Sequence, residues 1–109
     1  MGTATEYTLR QILSQLETAP GTPAVYNVTM TNAATEYSQA LPANTRKFLL
    51  KCRGVYAIQV CFTSGESGTK YITVPANQSY WEDGITAASL TLYFQCGTAG
   101  QVAEIVAWT

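Results

Sequence analysis

The stretch Arg46–Phe62, RKFLLKCRGVYAIQVCF, decides the fold class. Its even positions read Phe48, Leu50, Cys52, Gly54, Tyr56, Ile58, Val60 and Phe62; its odd positions read Lys47, Leu49, Lys51, Arg53, Val55, Ala57, Gln59 and Cys61. Successive side chains of a strand point to opposite faces, so the alternation places the even set inward and the odd set outward. The parity runs unbroken through Gly54. Two geometries satisfy it: one long bent strand, or a hairpin with an odd-numbered loop such as Arg53-Gly54-Val55, in which Gly54 takes a positive φ. A two-residue turn would flip one arm to the other face. Cys52 then points inward and Cys61 outward, which disfavours a disulfide between them.

Downstream, Ser64–Gly68 (SGESG) reads as a turn, and Thr69–Val74 as a short strand ending at Pro75-Ala76-Asn77. Ser79–Trp81 forms another strand, closed by the Asp83-Gly84 turn signal. Ser89–Cys96 and Gln101–Trp108, joined by Gly97-Thr98-Ala99-Gly100, read as a hairpin. Pairing Cys96 with Gln101 sets Leu92 opposite Ile105, Phe94 opposite Ala103 and Leu90 opposite Ala107, all on one face. Upstream, Ala24–Thr31 is a strand, Asn32–Thr35 a connection, and Glu36–Leu41 a strand running into the turn Pro42-Ala43-Asn44. The two Pro-Ala-Asn turns each follow a similar strand, an internal echo that suits a sandwich of related halves.

The first residues follow a different period. Thr3-x-x-Glu6 is a capping box, and Leu9, Ile12, Leu13 and Leu16 recur at helical spacing. Glu6 and Arg10 form an i,i+4 pair. Ala19-Pro20-Gly21 ends the pattern, and Pro23 keeps the chain extended. The expectation is an N-terminal amphipathic helix over residues 5–18 with a linker (residues 1–23), then an all-β domain (24–109). Its seven to eight short antiparallel strands make a β-sandwich or jelly roll.

Composition narrows the function. A chain of 109 residues fits one domain, and 47% hydrophobic residues supply a core. Only 12% are charged, about half the usual share. Few ions would need desolvating where such a surface meets a partner. The net charge of −1 gives no electrostatic case for nucleic acid or an anionic membrane. No apolar run is long enough to span a bilayer, and no secretory leader is apparent. The three cysteines, Cys52, Cys61 and Cys96, form no CxxC pair, and an odd count points to reduced thiols.

Histidine is absent, which removes Ser-His-Asp and Cys-His catalysis and the usual zinc sets. Glu82 and Asp83 read as turn residues, Glu104 as an outward cross-strand partner, and Cys96 as a small buried hydrophobe. Gly97–Gly100 joins two strands and is no phosphate loop. No catalytic, metal or cofactor-binding residue is expected, and the chain is read as a non-enzyme.

Two sets of residues are candidates for contact. Lys47, Lys51 and Arg53 form a basic stripe on one strand face, for an acidic partner subunit or as a solvated face guarding a sheet edge. With them stands the helical stripe Leu9, Ile12, Leu13 and Leu16, which its own sheet or a partner must cover. Tyr80 and Trp81, beside the Glu82-Asp83-Gly84 turn, are candidates for contact with a ligand such as a sugar.

The stretches TEYSQALPANTRKFLLKCRGVYAIQVCF (35–62), YITVPANQSYWEDG (71–84) and LYFQCGTAGQVAEIVAWT (92–109) together resemble small virion structural proteins of tailed bacteriophages. That resemblance implies a capsid decoration or cement protein, or a head-fibre or connector component. It would be a homo-oligomer (dimer or trimer) bound to the major capsid or another virion protein, made in the host cytoplasm and carried in the virion. It implies no active-site residues. The alternative is a carbohydrate- or receptor-binding β-sandwich module of a phage particle.

Overall fold

A computed structural model describes residues 23–109; the expected helix over 5–18, with Leu9, Ile12, Leu13 and Leu16, lies outside the described residues. Eight strands follow: β1 (Pro23–Met30), β2 (Tyr37–Ala40), β3 (Lys47–Cys52), β4 (Ile58–Cys61), β5 (Ile72–Val74), β6 (Ser79–Glu82), β7 (Thr91–Cys96) and β8 (Gln101–Trp108). They form two four-stranded antiparallel sheets, ordered β1-β8-β3-β6 and β2-β7-β4-β5. This is the interleaved order of a jelly roll, in which consecutive strands mostly change sheet. Only β4 and β5 are both adjacent in the chain and paired.

Alternation builds the core. Phe48, Leu50 and Cys52 of β3, and Ala103, Ile105 and Ala107 of β8, face inward from the first sheet. Ile58 and Val60 of β4, Leu92, Phe94 and Cys96 of β7, and Val74 of β5 meet them from the second. All of these side chains but Cys52 and Val74 are at most 1% exposed, the large Phe48, Leu50 and Phe94 among them. Burying each such side chain stabilises by roughly 1.5–3 kcal/mol.

Two expected pairings are corrected. The stretch 46–62 is neither one bent strand nor a hairpin, because β3 and β4 belong to different sheets and residues 53–57 carry the chain across. Ser89–Cys96 and Gln101–Trp108 are likewise not a hairpin: β7 pairs with β2 and β4, and β8 pairs with β1 and β3. The physical reason is the same in both. Inward parity is preserved when two strands face each other across a sandwich interior, as it is when they lie side by side. Gly54 needs no positive φ; it sits where a Cβ would come within 2.6 Å of Gln101 Oε1.

Two side chains of the even set also depart from the alternation. Tyr56 lies in the crossing loop and is 42% exposed, and Phe62, just past β4, is 41% exposed at the mouth of the sandwich. Cys61 does sit on the outer face of the second sheet, opposite Tyr93, yet it is buried. The loop after β4 covers it, and its Sγ donates to Thr63 O at 3.2 Å.

The Pro-Ala-Asn echo has a structural counterpart. Both turns cross from the second sheet to the first, β2 to β3 and β5 to β6. Asn44 and Asn77 both take left-handed backbone, φ 62° and 64°. In each, the N–H of the residue after Asn donates back to the proline carbonyl, Thr45 to Pro42 at 3.2 Å and Gln78 to Pro75 at 3.1 Å. Asparagine tolerates this region because its short polar side chain compensates locally.

Candidate functional site

Directly opposed residues of an antiparallel ladder share a face. Across the first sheet this rule joins Val25, Val106, Leu49 and Trp81 into one row, with one residue from each strand. The row lies on the outer side of the sheet. Val25 is 64% and Trp81 54% exposed, while Leu49 and Val106 are half-buried between them. The adjacent row holds Pro23, Trp108 and Lys47. On the other side run Asn27, Glu104, Lys51 and Ser79, and beyond them Thr29 and Val102. The outer face is thus an apolar stripe with two indoles, bordered by polar residues.

All three residues of the basic stripe lie on this face, but they are not a bare cationic patch. Lys47 Nζ stands 5.7 Å from the Trp81 ring centroid and 5.0 Å from that of Trp108. That is cation–π distance to two indoles at once. Lys51 and Arg53 converge on Glu104: Arg53 Nε donates to Oε2 at 2.7 Å and Lys51 Nζ lies 3.5 Å from Oε1. Glu104 makes the cross-strand contact its sequence position suggests. The Arg53 hydrogen bond, then the Arg53 and Lys51 charges, hold its carboxyl below the usual carboxylate range. Three cations against one carboxylate leave a weak field. The face suits contact by area and shape more than steering by charge.

Tyr80 and Trp81 are brought to different surfaces, because neighbours in a strand point to opposite sides. Trp81 joins the outer face. Tyr80 stands opposite Leu50 toward the interior and packs on Phe48 with ring centroids 5.9 Å apart. Its hydroxyl donates to Glu82, and burial, then that bond and the Glu82 charge, push its pKa up to about 12. Nearby, an open cleft of about 380 Å³ lies at the mouth of the sandwich between Phe48, Phe62 and the segment Glu82–Ile85 at the end of β6.

The residues that complete the outer face, Val25, Leu49, Val106 and Trp108, were missed from the sequence. Their signal was an apolar residue at an outward position on each of three strands. It is visible only once the ladders align them. Among the described residues, no group of three or more His, Cys, Asp or Glu side chains could hold a metal ion.

No family model matches the sequence, and no curated protein matches it. Among solved structures, the solution structure of a de novo designed double-stranded β-helix is similar with a TM-score of 0.51 at 11% identity, over 81% of this chain and 99% of that one. A QdtA 3,4-ketoisomerase from Thermoanaerobacterium thermosaccharolyticum aligns with a TM-score of 0.49 at 16% identity, over 79% of this chain and 58% of that one. The SPBc2 prophage-derived protein YomS aligns with a TM-score of 0.46 at 15% identity, over 81% of this chain and 96% of that one. The likeness to the designed double-stranded β-helix is one of fold: two four-stranded antiparallel sheets wound as described above.

Proposed function

We propose that this chain is a non-enzymatic virion structural protein, a capsid decoration or cement protein that acts as a homo-oligomer. The observation that carries the reading is the outer face of the first sheet, where Val25, Val106, Leu49 and Trp81 form an uninterrupted apolar row beside Trp108. A row of this kind beside a second indole has the aromatic enrichment of an interface centre. The sparse charge of the whole chain and its resemblance to tailed-phage virion proteins support the same reading. The test is quantitative mass spectrometry of purified particles of the phage that encodes the chain. Fixed stoichiometry to the major shell protein is expected, and absence from the particles would overturn the reading.

A second reading, a carbohydrate-binding module, draws on the cleft at the sandwich mouth, where the exposed Phe62 ring lies near Glu82 and Asp83. An aromatic ring with hydrogen-bond acceptors beside it matches the needs of a sugar ring. A glycan array probed with the full chain and with Phe62→Ala decides this. Binding that the substitution abolishes supports a sugar site, and an array without binding removes it.

A further inference from the structure

Glu82 stands at an inward position of edge strand β6. It lies directly opposite Phe48 in the ladder and two residues from Tyr80, so the three side chains share the face that turns to the sandwich interior. The Tyr80 hydroxyl donates to the Glu82 carboxylate, and the Tyr80 ring packs on Phe48, which together hold that carboxylate at the mouth of the sandwich. Asp83 follows it on the wall of the same cleft. The other walls are apolar. The Phe62 ring, 41% exposed, stands edge-on to Phe48 with centroids 6.2 Å apart, and Ile85 and Leu90 are half-buried against the core.

We infer that this cleft is a docking site for a basic side chain, the ammonium or guanidinium of a lysine or arginine presented by a partner protein. Such an occupant takes the place of a sugar in the same cleft and is independent of the outer face of the first sheet.

The charge is unbalanced on this chain's side. Among the described residues, neither Glu82 nor Asp83 has a cation within ion-pair distance; the ion pairs formed are those of Lys51 and Arg53 with Glu104. Lys47 stands against Trp81 and Trp108, and no Lys or Arg follows Lys70 in the sequence. Arg46 approaches through its backbone, where its carbonyl accepts from Ile85 N at 3.1 Å, yet its exposed side chain pairs with neither carboxylate.

The balance of donors and acceptors selects a cation over a sugar. Glu82, Asp83 and Thr86 are the polar side chains on the wall, and of these Thr86 alone can donate. A sugar hydroxyl needs partners of both kinds, whereas ammonium and guanidinium groups only donate. Their apolar stems suit Phe62, Ile85 and Leu90, and a cation is drawn to an aromatic ring as well as to a carboxylate. The cleft, about 380 Å³, is within the usual range of binding pockets.

The experiment is an NMR titration of the ¹⁵N-labelled full chain with four probes. Two are cationic, Nα-acetyl-lysine amide and Nα-acetyl-arginine amide; the others are the uncharged isostere Nα-acetyl-norleucine amide and N-acetylglucosamine. Both cationic amides are expected to give saturable shifts at the N–H signals of Phe62, Gly84 and Ile85. The norleucine amide should bind roughly tenfold more weakly, and raised salt should weaken only the cations. Asp83→Asn, a change at an exposed position, and Glu82→Gln, which keeps an acceptor for Tyr80, should each weaken the lysine amide about threefold. Equal binding of the lysine and norleucine amides would reduce the cleft to an apolar patch and overturn the proposal. Saturation by N-acetylglucosamine alone would overturn it in favour of a sugar. Shifts that do not saturate, or that centre on Glu104, would overturn it as well, and each of these results leaves the assembly reading in place.

Discussion

Arg53 donates its Nε–H to Glu104 Oε2 at 2.7 Å, joining a residue just past the end of β3 to the centre of β8. The same two strands also meet where the Arg53 N–H donates to Val102 O at 2.9 Å. Arg53 thus ties down the chain where it leaves the first sheet to cross to the second.

The Glu104 carboxyl is stabilised in its charged form in the folded state, so its folded pKa lies below its unfolded one. Its contribution is complete above the unfolded value and is lost as pH falls through the folded value. The partners are half-exposed, so Glu104→Gln is expected to cost only about 0.5 kcal/mol at neutral pH. Denaturant unfolding from pH 7 down to pH 3 checks this. The gap between parent and variant should close at the acid end and shrink in high salt at pH 7.

Glu36 works in the same direction at another place. Its carboxylate accepts from Gly65 N at 2.8 Å and Ser67 N at 3.0 Å, fastening the loop that covers Cys61. The Ser67 hydroxyl, the Gly65 N–H and the Ser67 N–H hold its pKa below the usual range. Glu36→Ala is expected to cost about 1 kcal/mol. The more specific readout is the thiol: Cys61 should react faster with a maleimide in Glu36→Ala, while Cys52 and Cys96 in the core stay slow. In the parent, Cys61 reactivity should rise as pH is lowered through the folded Glu36 pKa, after correction for thiol ionisation.

Ala34 takes a left-handed φ of 53°, with its N–H donating to Cys96 O at 2.8 Å. A residue with a Cβ pays about 1–2 kcal/mol there. Glycine removes that strain but loses about 0.4–1 kcal/mol through its freer unfolded chain. Ala34→Gly is therefore expected to stabilise by about 0.5 kcal/mol, raising Tm by about 2–4 °C. Ala34→Val should lower it. Asn77→Gly, at φ 64°, should be close to neutral and Asn77→Val clearly destabilising. Thermal melts of the four variants test the set.

Leu92 and Ile105 are both fully buried, one in each sheet. Leu92→Ala and Ile105→Ala are each expected to cost about 2–5 kcal/mol. That is a large share of the 5–15 kcal/mol typical of a domain. Trp81→Ala, on the outer face, should cost much less in monomer stability and show its effect in the oligomer mass. Chemical denaturation with light scattering separates the two kinds of loss.

Much of the local structure was legible in the residues. The Ser64–Gly68 turn and the inward sets of β3, β7 and β8 appear where the residues put them, whereas Asp83 and Gly84 (φ 68°) lie in the irregular connection that carries the chain from β6 to β7 in the other sheet. The outward basic residues do lie on one face. The apolar row was not legible, because Val25, Leu49, Trp81 and Val106 are scattered along the chain and only three ladders bring them into line. Tyr80 and Trp81 looked like one contact site because they are adjacent, and adjacency in a strand is what separates them.

The alternation within Lys47–Cys52 and Ile58–Val60 established strands with one buried side, and the alternation within Thr91–Cys96 and Gln101–Trp108 established which side of β7 and β8 is buried. Those are properties of a single strand, set by the two-residue repeat of the pleat. Which strands are neighbours was decided only in three dimensions. Two strands that share inward parity bury the same side chains whether they lie hydrogen-bonded in one sheet or opposed across the interior. The choice depends on which backbone edges find partners: β8 lies between β1 and β3, β7 between β2 and β4, and each fills both of its edges there.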